Sequence, residues 1–195
     1  MSESSASSGE EKHLQGRTLM WDRLHLVDAA PSVEGSHLAA VLAALFEDEA
    51  GEVRIVLTKR PETMPTHAGH ISFPGGRAQP DDSGPVDTAL REAWEEVGIE
   101  RDNVEILGFL PAIDTVEFKP WVVPVVGRVA SPLHLVPSER EVARIHTPRL
   151  EDLADESRWW HVPWNGFQVW YYDLDGDTLW GATARMVRSL LGFPE

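Results

Sequence analysis

The segment from Pro85 to Gly98 constrains this chain more than any other. Pro85 opens a strong helix: counted at 100° per residue, Val86, Ala89, Leu90, Ala93, Trp94 and Val97 fall in one broad apolar stripe. Gly98 stands where a C-terminal cap belongs. A helix of this kind must bury its stripe against a second layer, and strand-like runs are available to form it. Val53 to Thr58 is β-branched, and Val104 to Leu110 and Trp121 to Val129 read as two further strands. Leu38 to Phe46 is rich in Ala, Val and Leu and is separated from Val53 by the acidic turn Glu47 to Glu52, so the two runs are expected to form a hairpin, although the first would suit a helix equally. Beyond them the sequence predicts a short helix over Ser138 to Ile145. A hairpin of Gln168 to Leu174 with Thr178 to Trp180 turns around Asp175-Gly176-Asp177, and a closing helix follows over Ala182 to Leu191. Strands mixed with a few helices imply an α/β or α+β sandwich.

With 195 residues, no repeat and no long Pro/Gly linker, one domain is expected. Residues 1–13 are polar and Ser/Glu-rich, without the apolar centre of a secretory signal, and are expected to be a disordered tail ahead of a single domain at 14–195. The apolar run Leu38 to Phe46 is too short to span a bilayer. The absence of cysteine excludes disulfides, thiolate metal sites and cysteine nucleophiles, and fits a reducing cytoplasm, the expected compartment. A formal net charge of −15 with no Lys/Arg block argues against nucleic acid and anionic membrane as partners. A phosphate-ester substrate would need a cation to offset that field.

The same helix carries Arg91, Glu92, Glu95 and Glu96, preceded by Gly75-Gly76 and by the acidic loop Asp81-Asp82. Glu92 and Glu96 are i,i+4 neighbours with Cβ atoms about 5–6 Å apart, and such like-charge pairs destabilise a helix by about 0.2–0.5 kcal/mol each. On sequence all three glutamates are expected on one side, away from the apolar stripe. Arg91 can pair with Glu95, and a hard divalent cation such as Mg²⁺ can bridge Glu92 and Glu96. There it would neutralise pyrophosphate charge and acidify a water, while the glycines let backbone approach closely. Three glutamates on a surface helix are by themselves an ordinary solvated face. The glycines, acidic loop, Arg-Glu and Glu-Glu pairs and glycine cap occurring together set this one apart.

At these residues the chain resembles the Nudix family, whose box reads G-x5-E-x7-R-E-U-x-E-E-x-G-U with U aliphatic. Gly76, Arg91, Glu92, Ala93, Glu95, Glu96, Gly98 and Ile99 match. Asp82 replaces the first Glu, eight residues rather than seven precede Arg91, and Asp82 is expected to matter less than Glu96. The resemblance implies a mixed-sheet α/β/α sandwich with Mg²⁺ (or Mn²⁺) on Glu92 and Glu96, helped by Glu95 and a Gly75 carbonyl. Upstream, Leu57-Thr58-Lys59-Arg60, Gly69 and Phe73-Pro74-Gly75-Gly76 are similar to the signature of the coenzyme A pyrophosphatase branch. Ser138 to Val142 and Trp180 to Ala184 also look like that branch. Val56, Pro61 and Pro65 depart from it; Pro65 stands where the branch has a second Arg, and no proline can supply a bidentate phosphate contact.

The resemblance implies hydrolysis of coenzyme A or an acyl-CoA to 4′-phosphopantetheine, or its acyl form, and 3′,5′-ADP. Arg60, Gly75 and Gly76 would contact substrate, and Glu141, with Glu117 second, would be the base outside the box. ADP-ribose, dinucleotides or nucleoside triphosphates are alternative substrates, and a ligand-binding Nudix module without turnover is an alternative of another class. His67 and His70 suit polar packing or substrate hydrogen bonding better than a hard-cation site. The tryptophans between 159 and 180 suit core or interface, and their clustering suggests a homodimer surface.

Overall fold

A computed structural model describes residues 20–32, 38–114 and 121–194. The tail expected at 1–13 and Glu117 lie outside the described residues. Leu38 to Phe46 is a strand. β1 (Leu38–Glu47) runs through the middle of a six-stranded mixed sheet, parallel to β8 (Trp121–Val129) along one edge. Its other edge pairs antiparallel with β2 (Val53–Ile55) at one end and with β5 (Gly75–Arg77) at the other. Beyond β8 lie β6 (Val104–Phe109) and the short β7 (Ile113–Asp114), both antiparallel to it.

The sequence ambiguity of β1 has a physical cause: the strand is buried on both faces, so it lacks the apolar–polar alternation of a half-solvated strand. Ala40, Leu42 and Ala44 face a core shared with α1 (Pro85–Val97), while Val41, Ala43 and Leu45 face a second core on the other side. The second core is closed by α3 (Gly181–Leu190), through Ala184, Met186, Val187 and Leu190. It is also closed by a three-stranded sheet of β10 (Trp159–Trp164), β11 (Phe167–Leu174) and β12 (Asp177–Trp180), which contributes Trp159, Tyr172 and Leu179. The result is the expected α/β sandwich with a mixed sheet.

The hairpin of β1 with the 53–58 run forms, but the run divides. Val56 donates its N–H to Ala44, and the chain then leaves the large sheet as β3 (Leu57–Lys59). β3 pairs with β4 (Ile71–Ser72) and β9 (Arg144–His146) in a separate small sheet. The helix expected over Ser138 to Ile145 is not there. Glu141 and Val142 donate to the Ser138 carbonyl in a single turn, and Ala143 then bonds the Lys59 carbonyl to begin β9, so sheet pairing wins over local helix propensity. A four-residue helix, α2 (Leu150–Leu153), follows. The β11–β12 hairpin and the closing helix form as expected.

Candidate active site

α1 ends as its sequence requires. Gly98 adopts the left-handed conformation (φ 73°) and returns its N–H to the Trp94 carbonyl. Ala89, Leu90, Ala93 and Val97 are buried, but Trp94, at the far margin of the stripe, is 55% exposed and lies outside the core. The glutamates do not share one solvated side. Glu96 lies in angle between Glu92 and Ala93 and is buried, Glu92 is mostly covered, and Glu95 points outward with its side chain half exposed. The reason is that the strip beside the apolar stripe packs on β1 and β5, whose glycines at this end leave room for carboxylates.

That room is measurable. A β-carbon on Gly76 would meet the Glu92 carboxyl group at 2.5 Å, and the Gly75 N–H donates to Glu96. Burial, followed by the charges of Glu92 and Glu141, pushes the Glu96 carboxyl up to about 8, against the opposing influence of Arg60 and the Gly75 N–H. Glu92 is raised by burial as well, opposed by Arg91 and aided by Glu95 and Glu141. Acidic groups from two separate segments, α1 and the turn carrying Glu141, thus act on one another here, with Arg60 as the facing cation. The Nε of Arg60 is buried without a hydrogen-bond partner.

Glu141 reaches this place through the backbone. Val136 and Ser138 donate their N–H groups to the last carbonyls of α1, on Val97 (3.0 Å) and Glu96 (2.8 Å), and Ala143 is bonded to Lys59, the neighbour of Arg60. The segment between is strapped from the end of α1 to β3, with Val142 buried beneath it and Glu141 exposed. No local pattern announces that connection.

Arg91 is held by more partners than the expected Glu95. Its guanidinium donates to both oxygens of Asp82 at 3.0 Å, to Glu92 at 2.8 Å and to the Arg77 carbonyl at 3.0 Å, with Glu95 more distant at 3.4 Å. Asp82 also accepts from the Gln79 N–H and the Thr88 hydroxyl. Its side chain is largely covered, so this loop acid anchors Arg91; Arg91 foremost holds its carboxyl well below the usual carboxylate range. Lys59 and Arg60 diverge, as neighbours on a strand do. Lys59 bonds Asp177 (2.8 Å), which also takes His146 (3.0 Å) and Arg144 (3.3 Å), away from the glutamates. The Arg60 N–H donates to the His70 carbonyl, and the His70 ring meets Trp180 edge-on at 4.9 Å. Polar and aromatic packing thus accounts for His70.

The donor set fits a hard divalent cation. Two covered carboxylates and a third nearby, beside glycine backbone, make a pocket of negative charge that such an ion would relieve. Among the described residues no three Asp, Glu or His groups converge at metal-ligand spacing. Glu92 is turned to Arg91, and a bound ion would draw it from that partner.

An α/β sandwich with a glycine-bearing strand facing a glutamate-bearing helix defines a class, and comparison with known proteins agrees. The NUDIX domain family matches residues 36–166. The uncharacterized Nudix hydrolase NudL of Enterobacter sp. (strain 638) is 38% identical over 157 residues, covering 78% of this chain and 80% of its own. Its namesake in Pectobacterium atrosepticum is 36% identical over 144 residues, covering 70% and 72%. Among solved structures, a MutT/nudix family protein from Enterococcus faecalis shares the fold with a TM-score of 0.55 at 18% identity, covering 96% of this chain and 73% of that one. The chain belongs to the Nudix family and is a Nudix hydrolase, a pyrophosphatase. Enzymes of this family generally use divalent metal ions. Among the described residues no helix is long and apolar enough to cross a membrane.

Proposed function

We propose that this enzyme hydrolyses the pyrophosphate of coenzyme A or an acyl-CoA to 4′-phosphopantetheine, or its acyl form, and 3′,5′-ADP. We assign Mg²⁺ (or Mn²⁺) to Glu92 and Glu96, with Glu95 and the Gly75 carbonyl as further ligands. The observation that carries the reaction is Glu96, a covered carboxylate at the glycines of β5 with Glu92, Glu141 and Arg60 acting on it. When bound, the cation offsets charge on the pyrophosphate and lowers the pKa of a coordinated water.

The chain's own groups divide the remaining work. Glu141, exposed beside Glu92 and Glu96, accepts the proton of the attacking water. Arg60, with its unpartnered Nε, binds a phosphate oxygen, and the Gly75-Gly76 pair on β5 lets the substrate approach the backbone. Arg91 is occupied by Asp82, Glu92 and the Arg77 carbonyl, so it acts as a positioning residue that holds Glu92 and the preceding loop. Glu95 is half exposed and tied weakly to Arg91, and contributes least of the three glutamates.

The choice of coenzyme A rests on Leu57 to Gly76, which apart from Gly76 lies outside the generic box and forms β3, the Arg60-to-His70 connection and β4. Pro65 in place of a second arginine favours a high KM, since a contact made equally in ground and transition states affects binding rather than turnover. Steady-state kinetics with Mg²⁺ on coenzyme A, ADP-ribose, NADH and nucleoside triphosphates tests this, with the highest kcat/KM expected for coenzyme A or a short acyl derivative. ADP-ribose turning over tenfold better would overturn the substrate and leave the general reaction. No turnover of any compound would favour a binding module. The homodimer suggested by the tryptophan cluster is a separate proposal, carried by the geometry of the β10–β11 hairpin.

A further inference from the structure

The β10–β11 hairpin outreaches the sheet it belongs to. β12 pairs only with Tyr171 to Leu174, so the part of the hairpin from His161 to Trp170 extends as a two-stranded arm. Its register fixes which side chains share a face. The row Trp159/Tyr172 is buried in the core; by alternation Trp160/Tyr171, Val162/Val169 and Trp164/Phe167 point the other way. The solvent side of an antiparallel sheet is normally the polar one, yet all three outward rows are apolar. Trp160 is 46% exposed, Val162 48%, Trp164 55% and Phe167 72%. Trp180 on β12 extends the first row, and the Trp160, Tyr171 and Trp180 rings lie within 13° of parallel in succession.

Two facts bear on what covers this face. Two-stranded ribbons are marginally stable alone in water. With about 150–250 Å² on each large aromatic, the open parts of these side chains offer on the order of 500 Å², more than half of the roughly 800 Å² that each partner gives to a stable interface. The second fact is charge. Residues 159 to 172 contain no Asp, Glu, Lys or Arg, in a chain of net charge −15. Two copies of so acidic a protein repel each other over most of their surface, and a charge-free face is where that repulsion is least. A basic partner, by contrast, would find no acidic group on the arm. Pro163 lacks an N–H on the edge strand β10, which blunts strand addition there.

We propose that the outward face of the β10–β11 arm is the homodimer interface of this enzyme, two copies meeting face to face about a twofold axis rather than by joining sheet edges. Trp164 and Phe167 are its anchors, with Trp160, Val162, Val169 and Tyr171 behind them. Because their side chains stand clear of the core, they can be changed without emptying it.

Analytical ultracentrifugation of the full chain over a wide micromolar range tests the proposal. Twice the 21.7 kDa chain mass is expected for the wild type. Trp164→Glu/Phe167→Glu should raise the dimer dissociation constant about thirtyfold or more, with an unchanged far-ultraviolet circular dichroism spectrum. Val162→Lys, a single change on the same face, should weaken the dimer in the same direction should the double variant fold poorly. Trp94→Glu, at an equally exposed tryptophan on α1, should leave the mass unchanged. A wild type that stays monomeric throughout overturns the proposal in favour of a different occupant. A dimer that survives the arm variants, or is lost with Trp94→Glu, overturns the choice of surface.

Discussion

A β-carbon placed on Gly76 would lie 2.5 Å from Cδ of Glu92, so the glycine on β5 and the carboxylate on α1 occupy one space between them. Gly75 is tight for a different reason. Its β-carbon would press on the Ala40 carbonyl at 2.5 Å and on the Val41 backbone at 2.6 Å. A side-chain end can swing aside and a packed strand cannot. Gly75→Ala should therefore cost about 1–3 kcal/mol of stability. Gly76→Ala should leave the melting temperature nearly unchanged while displacing Glu92, lowering kcat and weakening Mg²⁺ binding. Thermal melts paired with metal titrations separate the two. Equal loss of stability in both variants would show that Glu92 cannot move.

Glu96→Gln should lower kcat at least ~100-fold, because it removes a charge that a bound cation needs where transition-state charge develops. Without metal, burial already disfavours the charged form of Glu96 and Gln mimics its neutral form, so the metal-free variant should melt no lower than the wild type. Mg²⁺ should raise the melting temperature of the wild type and not of the variant. Unchanged activity together with an unchanged Mg²⁺ response would reduce the helix to a solvated acidic face.

Asp82 and Arg91 form a linkage that can be followed with pH. Arg91 favours the ionised Asp82, so the folded protein holds this carboxyl below its ordinary value. The stabilisation is complete above ~pH 4, the unfolded carboxylate range, and fades as the pH falls below it. Asp82→Asn should lower the melting temperature by roughly 3–10 °C at neutral pH, as expected for losing charge-assisted hydrogen bonds. The gap to the wild type should narrow toward pH 2. A gap that stays constant with pH would mean that Asp82 acts through shape alone.

Arg60→Ala and Lys59→Ala should differ in kind although the residues adjoin. Arg60 influences Glu96, and its loss should raise KM for a pyrophosphate substrate with a smaller effect on kcat. Lys59 is bound to Asp177 on β12, so its loss should lower stability and leave KM close to the wild type. Kinetics and melts on both variants decide it, and a larger KM change in Lys59→Ala would reverse the assignment.

The sequence by itself determined what depends on neighbours along the chain. Helix α1, its start at Pro85 and its stop at Gly98 follow from a preset φ, an apolar period and a residue that tolerates positive φ. The β11–β12 hairpin and the closing helix were legible in the same way, as was the glycine and glutamate pattern that marks the family. Tertiary structure decided what depends on distant partners. Glu96 is buried because the margin of α1 packs on β1 and β5, whereas spacing along the helix had grouped it with Glu92 and Glu95 on one side. Asp82 became an anchor because the loop folds back onto Arg91. Val53 to Lys59 was divided between two sheets because β9, far along the chain, offered β3 a second partner. The segment carrying Glu141 gave up its helix for bonds to the last carbonyls of α1 and to Lys59. A short stretch with weak local preference takes the backbone partners that the assembled fold presents, since leaving those groups unpaired would cost more than its own propensity returns.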